Sequence, residues 1–339
     1  MKRLEKYIIH NLSVLFLSIF VPLFTIASVV FLIKLATYTA VIELTIWEMT
    51  KLYFFVLPEL LFYTLPITFF IAATLSLFRL SNDNEIVVIF SLGIKPLFLL
   101  KTLLKPATLL TIILLLDFVV LFPHSKILSS NFISYKKSEA NFNLSASEFG
   151  NSFGDWLLYL GEENKDGSFA KVFLFNKKQK EEILIAAKRA ELINDSGILR
   201  LKLNNGEGYS YSKEKFTQIN FKTMYINDTL VTDLDEYRST FNYWFSKERA
   251  EAKKKMFIMD TLFSIFPMIS LFLALSIGVV HARHGKSQVY LFLFLGVVVF
   301  YGATIGLQKV FGFYNIPFVA FTWLLITYIM YRKTIVKRF

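Results

Sequence analysis

Three groups of residues in this 339-residue chain have the types and spacing of chemical sites. Gly285-Lys286-Ser287 has the ending of a phosphate-binding loop, in which backbone N–H groups and a lysine cradle the phosphates of a nucleotide. His281 and His284 stand about one helical turn apart, the spacing of two imidazole ligands to one metal. Glu59, Asp117 and Asp260 place carboxylates inside otherwise apolar stretches, where a series of them could relay protons or hold a cation. Each has a plainer reading. The first glycine of a phosphate loop would stand at position 280, which is Val280, and the segment before it is a long apolar run rather than a strand. The histidine pair has no third ligand nearby. The carboxylates are expected to face an interior and pair with Lys or Arg, or to reach headgroup water. With no cysteine there is no thiol nucleophile and no disulfide. The sequence therefore predicts no catalytic residue, no metal site and no cofactor held by this chain.

The stretch that organises the rest is Arg79–Pro96, RLSNDNEIVVIFSLGIKP, caught between two hydrophobic runs. Asn82 with Glu85 three residues on predicts a helix start with a capping box, and Gly93 with Pro96 predicts its stop. The helix expected over about 82–92 is too short to span a bilayer, so it rests at the interface or docks onto something in the aqueous phase.

The elements around it are membrane spans. The chain is 55% hydrophobic and only 19% charged, against about 25% charged in soluble domains. Leu12–Ile33 carries no charge over 22 residues and is too long for the apolar core of a secretion signal. Lys34 is expected to end it. Tyr53–Phe78 follows, broken by Pro58 and Pro66, then a third span within Lys101–Phe122 that Pro123 closes. Three more are expected at about Phe257–Val280, Gln288–Leu307 and Phe313–Tyr331.

Residues 123–255 differ in kind. Period-two alternation in Leu199–Leu203 and Ile219–Tyr225, with further candidates at Trp156–Leu160 and Val172–Phe175, predicts an all-β domain, sandwich or jellyroll-like. The second alternation breaks at Ile226. The expected fold is thus a membrane α-helical protein of six spans, three plus three, with an inserted β domain. Residues 1–122 hold spans one to three, 123–255 the β domain and 256–339 spans four to six.

Charge sets the orientation. The formal net charge is +11, but it follows topology. Both termini and the loops 79–105 and 281–287 together carry 13 Lys and Arg, whereas the short segments on the opposite side, 34–52 and 308–316, carry 3. By the positive-inside rule the termini and the Arg79–Pro96 stretch are cytoplasmic and the β domain is extracytoplasmic. The basic excess then gives no reason to expect nucleic acid.

This arrangement resembles the LptF/LptG family, permease subunits of the lipopolysaccharide export ABC transporter. The likeness rests on Tyr7, Leu57-Pro58-Glu59, Leu65-Pro66-Ile67, Asn84-Glu85-Ile86 with Gly93, Arg249-Ala250-Glu251, and the loop of Arg283 with Gly285-Lys286. The Pro58-Glu59 pair leans towards the F-type subunit. The resemblance implies an inner-membrane heterodimer with a second LptF/LptG-type subunit. It also implies a cytosolic LptB ATPase dimer that uses ATP and Mg, an LptC partner, and a periplasmic jellyroll continuing to an LptA bridge.

It also assigns roles. Glu85, with Asp83 and Gly93, would couple to the ATPase. Lys34, with Phe31 beside it and Lys51 and Lys309 as further cations, would meet the phosphorylated headgroup of lipopolysaccharide. Spans one and five would form a lateral gate, where Gly296, Gly302 and Gly306 permit close helix approach. The alternatives are a permease for another lipid or lipoprotein cargo, and a membrane-anchored assembly factor that transports nothing.

Overall fold

The computed structural model describes residues 2–39, 44–141, 149–153, 156–164, 167–178, 181–195, 198–212, 215–227, 243–244, 250–279 and 288–336. The chain divides into two compact units, one of residues 1–33, 53–126 and 237–339, the other of 34–52 and 127–236.

Helix α1 spans Lys2–Thr39. It passes through Lys34 without ending there. Helix α2 spans Ile46–Asn82 and stays continuous through Pro58 and Pro66, so the break expected at these prolines does not occur. Each proline forfeits one backbone hydrogen bond, but buried neighbours such as Phe62, Phe69 and Phe70 hold the helix on both sides of the gaps. A capping box does form, at the other end of α2. The Thr45 N–H donates to Glu48 Oε2 at 2.9 Å and the Glu48 N–H to Thr45 Oγ1 at 3.4 Å.

Because α2 runs on to Asn82, the capping box expected at Asn82 and Glu85 is not made. The chain instead turns through Asn84 in the left-handed region, φ 60, with no side-chain cap. Asparagine tolerates that conformation better than most residues. Helix α3 then covers Glu85–Ser91. Its end matches the sequence expectation. Gly93 has φ 81, its N–H donates to Phe90 O at 2.9 Å, and the Ile94 N–H donates to Ile89 O at 3.4 Å, the paired bonds of a Schellman motif.

Helix α4, Leu97–Leu116, leads through a π-helical turn at Asp117–Leu121 into α5, Phe122–Asn141. Pro123 therefore does not close the third span, and residues expected in the β domain are helical as far as Asn141. Pro123 has no N–H to offer the carbonyl of Val119 four residues back. That carbonyl accepts instead from Trp244 Nε1 at 3.2 Å.

In the second half, α6 (Ala250–Ile269) and α7 (Leu271–Gly278) form one apolar run bent by 45° at Ser270. The Trp323 indole N–H donates to Ser270 Oγ at 3.1 Å in the bend. Helices α8 (Val289–Phe311) and α9 (Asn315–Tyr331) meet at Gly312, φ 53. The Phe300 and Trp323 rings lie 5.1 Å apart, which a straight helix would hold about 35 Å apart, so α8 and α9 fold back as a hairpin. Phe70, Phe266 and Phe300 stack through the middle of this unit at 5.3 and 4.6 Å. Among the described residues, four helices are long and apolar enough to cross a membrane, or five when the bent pair counts as one.

The sheet is a single antiparallel meander in the order β1 (Phe149–Phe153), β2 (Trp156–Tyr159), β3 (Phe169–Lys178), β4 (Glu181–Asp195), β5 (Ile198–Ser212) and β6 (Lys215–Asn227). One face buries Leu158, Val172, Leu174, Ile185, Leu201 and Leu203. A crease crosses β3 to β6. Lys171 and Asn205 have φ 53 and 52, and Lys188 with Arg189, like Lys222 with Thr223, are adjacent residues that both face solvent. Beyond the crease the buried face passes to the other parity, from Ala187 to Ala190 and from Phe221 to Met224. This is why the alternation in β6 breaks and Ile226 is buried.

Candidate functional site

Helix α3 is held by the N-terminal end of α1. Ile8 and Leu12 of α1 and Ile86 of α3 are buried in one core. Tyr7, on the same turn as Ile8, donates its hydroxyl to Glu85 Oε1 at 2.9 Å. Two residues earlier, Glu5 accepts from Lys105 Nζ at 3.0 Å, tying α1 to α4. Glu85 opens α3 half-buried, Asp83 is exposed in the turn before it, and Gly93 is exposed after it. Ile86 and Ile89 face inward, while Val87, Val88 and Leu92 are 38%, 55% and 74% exposed. A short helix thus presents an open apolar face beside a carboxylate, on a stiff mount of three helix ends. Such a surface suits a protein partner with a groove and a cation at its rim.

The expected substrate residues lie elsewhere. Phe31 packs against Tyr53 at 6.3 Å, and Ser28 shares a 2.9 Å hydrogen bond with the Tyr53 hydroxyl. Lys34, one turn beyond Phe31, is exposed. The Lys51 ammonium lies 5.4 Å over the Phe132 ring, close to the Lys136–Glu48 ion pair of 2.7 Å. Lys309 is exposed on α8 beside Gln308, whose side-chain amide donates to Lys255 O at 2.6 Å.

The three glycines of α8 separate. A Cβ at Gly296 would lie 3.0 Å from Leu273 and 3.3 Å from Phe70, so this glycine serves packing within the chain. Gly302 and Gly306, one turn apart, have nothing within 4 Å and form an open strip. Among the described residues no three His, Cys, Asp or Glu gather as a metal site. His281, His284, Arg283, Arg249 and Gly285-Lys286-Ser287 lie outside the described residues.

Two features escaped sequence reasoning. The capping box at Thr45-Ile-Trp-Glu48 has a readable signature, but it lies in a stretch of mixed composition. The Trp244–Val119 bond has none, since a carbonyl freed by Pro123 can be met from anywhere in the fold.

The profile of the family described as lipopolysaccharide export system permease LptF/LptG matches residues 6–330, nearly the whole chain. The chain belongs to the LptF/LptG family. This match covers Tyr7, Glu85 and the β domain alike, and the family description embraces both subunit types. As an LptF/LptG member the protein is a membrane transport subunit of lipopolysaccharide export, built from span-capable helices and an antiparallel sheet. A comparison with individual curated proteins finds no match.

Proposed function

We propose that this LptF/LptG-type permease extracts lipopolysaccharide from the outer leaflet of the inner membrane, driven by a partner ATPase that docks on α3. Six spans serve the reading. The run Val289–Val336 is 48 residues, about 72 Å of helix against a hydrocarbon core of about 30 Å, and its hairpin at Gly312 supports reading it as two spans. With α1, α2, α4 and the bent α6–α7 this reading reaches six. The bias of Lys and Arg then puts both termini and α3 in the cytoplasm and the sheet in the periplasm.

Pairing with a second LptF/LptG-type subunit, through the open Gly302–Gly306 strip of α8 and the exposed flank of α1, would enclose a cavity. Lipid enters it from the side. Lys34 with Phe31, aided by Lys51 and Lys309, meets the phosphorylated headgroup. An LptB ATPase dimer binds ATP and Mg and pushes α3, the cavity closes, and the lipid is expelled towards a jellyroll-like β domain, LptC and an LptA bridge. The sheet's apolar face suits that task, since exposing acyl chains to water costs about 0.8 kcal/mol per CH₂.

The observation that carries this reading is the Tyr7–Glu85 bond beside the open apolar face of α3. It gives a partner's push a direct path into span one. Affinity purification from membranes tests it. A nucleotide-binding subunit and a second six-span subunit should co-purify, and Glu85→Ala should lose the first. Purification of the wild-type chain without any ATPase sinks the reading and favours an assembly factor. Photocrosslinking from position 34 to labelled lipopolysaccharide separates this cargo from a lipoprotein.

A further inference from the structure

Asp260 of α6 has 0% of its surface exposed, and neither carboxylate oxygen accepts a well-formed hydrogen bond from the described residues, the Tyr63 hydroxyl lying close enough to bear on it without meeting that geometry. A buried polar atom without a partner costs about 1–3 kcal/mol, and a charged one more. The polar groups around it come from two other helices, Glu59 and Tyr63 on α2 and Lys126 on α5, with Tyr301 on α8 beyond Tyr63. The Tyr63 and Tyr301 rings flank Phe263 at 6.3 and 4.3 Å. The cation of the group, Lys126, rests elsewhere. Its Nζ lies 3.7 Å from the thioether sulfur of Met256 and 5.4 Å from the centre of the Phe122 ring.

A thioether is a weak acceptor for an ammonium. Met256 and Asp260 are four residues apart on α6, so they share one face, a turn apart. The stronger acceptor for Lys126 is therefore about 6 Å along the helix from where it rests. Connectivity gives this a consequence. Helix α5 leads the chain into the sheet and α6 follows it out, so a link between them ties the two connections of the β domain together.

We propose that Lys126 and Asp260 form an ion pair in a second conformation of the helical unit, a latch between the helices that enter and leave the β domain. The exchange needs Lys126 to extend while α6 slides along α5. It trades a weak contact and an orphaned carboxylate for a charge-assisted hydrogen bond, which biases two closely balanced states. Resting on the transport reading above, the paired state is the one that nucleotide binding by the partner ATPase favours.

A membrane-permeant carbodiimide tests the latch on native residues. The reagent activates a carboxyl group, and an adjacent amine displaces it as a urea, leaving a zero-length amide that peptide mass spectrometry detects. The full chain is treated in its membranes with and without ATP and vanadate. Glu5 and Lys105, already 3.0 Å apart, supply the internal control. The expected result is a Lys126–Asp260 link that rises severalfold with trapped nucleotide and is absent in Lys126→Met. Asp260 recovered as its carbodiimide adduct, never linked to Lys126 while the control link forms, overturns the proposal. A link of equal yield in both conditions upholds the pair and counts against the ATPase coupling instead. Should Asp260 escape the reagent, Lys126→Met, Asp260→Asn and their double decide. A double no worse in transport than either single upholds the pair, and additive losses overturn it.

Discussion

Tyr7 and Glu85 stand 78 residues apart in the chain and are joined by a 2.9 Å hydrogen bond. The bond makes the first turns of α1 and the first residue of α3 one mechanical piece, with Ile8 and Ile86 buried beneath it. A force applied to α3 reaches α1 without passing through any loop.

Tyr7→Phe should therefore separate two effects that Glu85→Ala combines. Removing the hydroxyl costs about 1 kcal/mol and leaves the carboxylate in place. Under the proposed transport reading, ATPase co-purification should persist while lipopolysaccharide release per ATP falls. Equal loss of docking in both variants would mean that Tyr7 only supports the helix start.

Trp244→Phe should destabilise the helical unit by about 1 kcal/mol, the cost of leaving the part-buried Val119 carbonyl unmet. Pro123→Ala supplies the missing backbone N–H four residues on, so the double variant should recover part of the loss. Thermal unfolding of the purified chain in detergent reads both. Independent, additive losses would refute this account of the π-helical turn.

Thr45→Ala should fray the start of α2, since it removes one arm of the capping box and costs about 1 kcal/mol. Hydrogen exchange at residues 46–50 should quicken while α3 stays protected. Unchanged exchange would show that the Lys136–Glu48 ion pair holds this end by itself.

Gly278→Ala should cost about 1–3 kcal/mol by overpacking, because its Cβ would lie 2.6 Å from Thr74 O and 2.7 Å from the Leu77 Cβ. Gly302→Leu meets open space and should leave the stability of the isolated chain unchanged. Under the heterodimer reading it should instead weaken co-purification of the second permease subunit. A drop in stability of the single chain would remove Gly302 from that surface.

Much of this molecule is legible in its residues alone. Uncharged runs such as Leu12–Ile33 can satisfy their backbone in lipid only as helices, so their composition dictates the element. Gly93 ends α3 because the left-handed position there favours glycine. Glu85 stands out because it lies at the start of a helix too short to span.

What the tertiary structure decided is where local signals compete. Pro58 and Pro66 read as breaks, yet packing on both sides carries α2 through them. Asn82 and Glu85 read as a capping box, but α2 extends past Asn82 and the same motif forms at Thr45 and Glu48. Tyr225 and Ile226 read as a broken alternation, and the crease through Lys171, Lys188, Asn205 and Lys222 supplies the missing residue of shift. The partners of Glu85 and Val119 come from segments far along the chain, because a hydrogen bond is chosen by distance in space and leaves no period in the sequence.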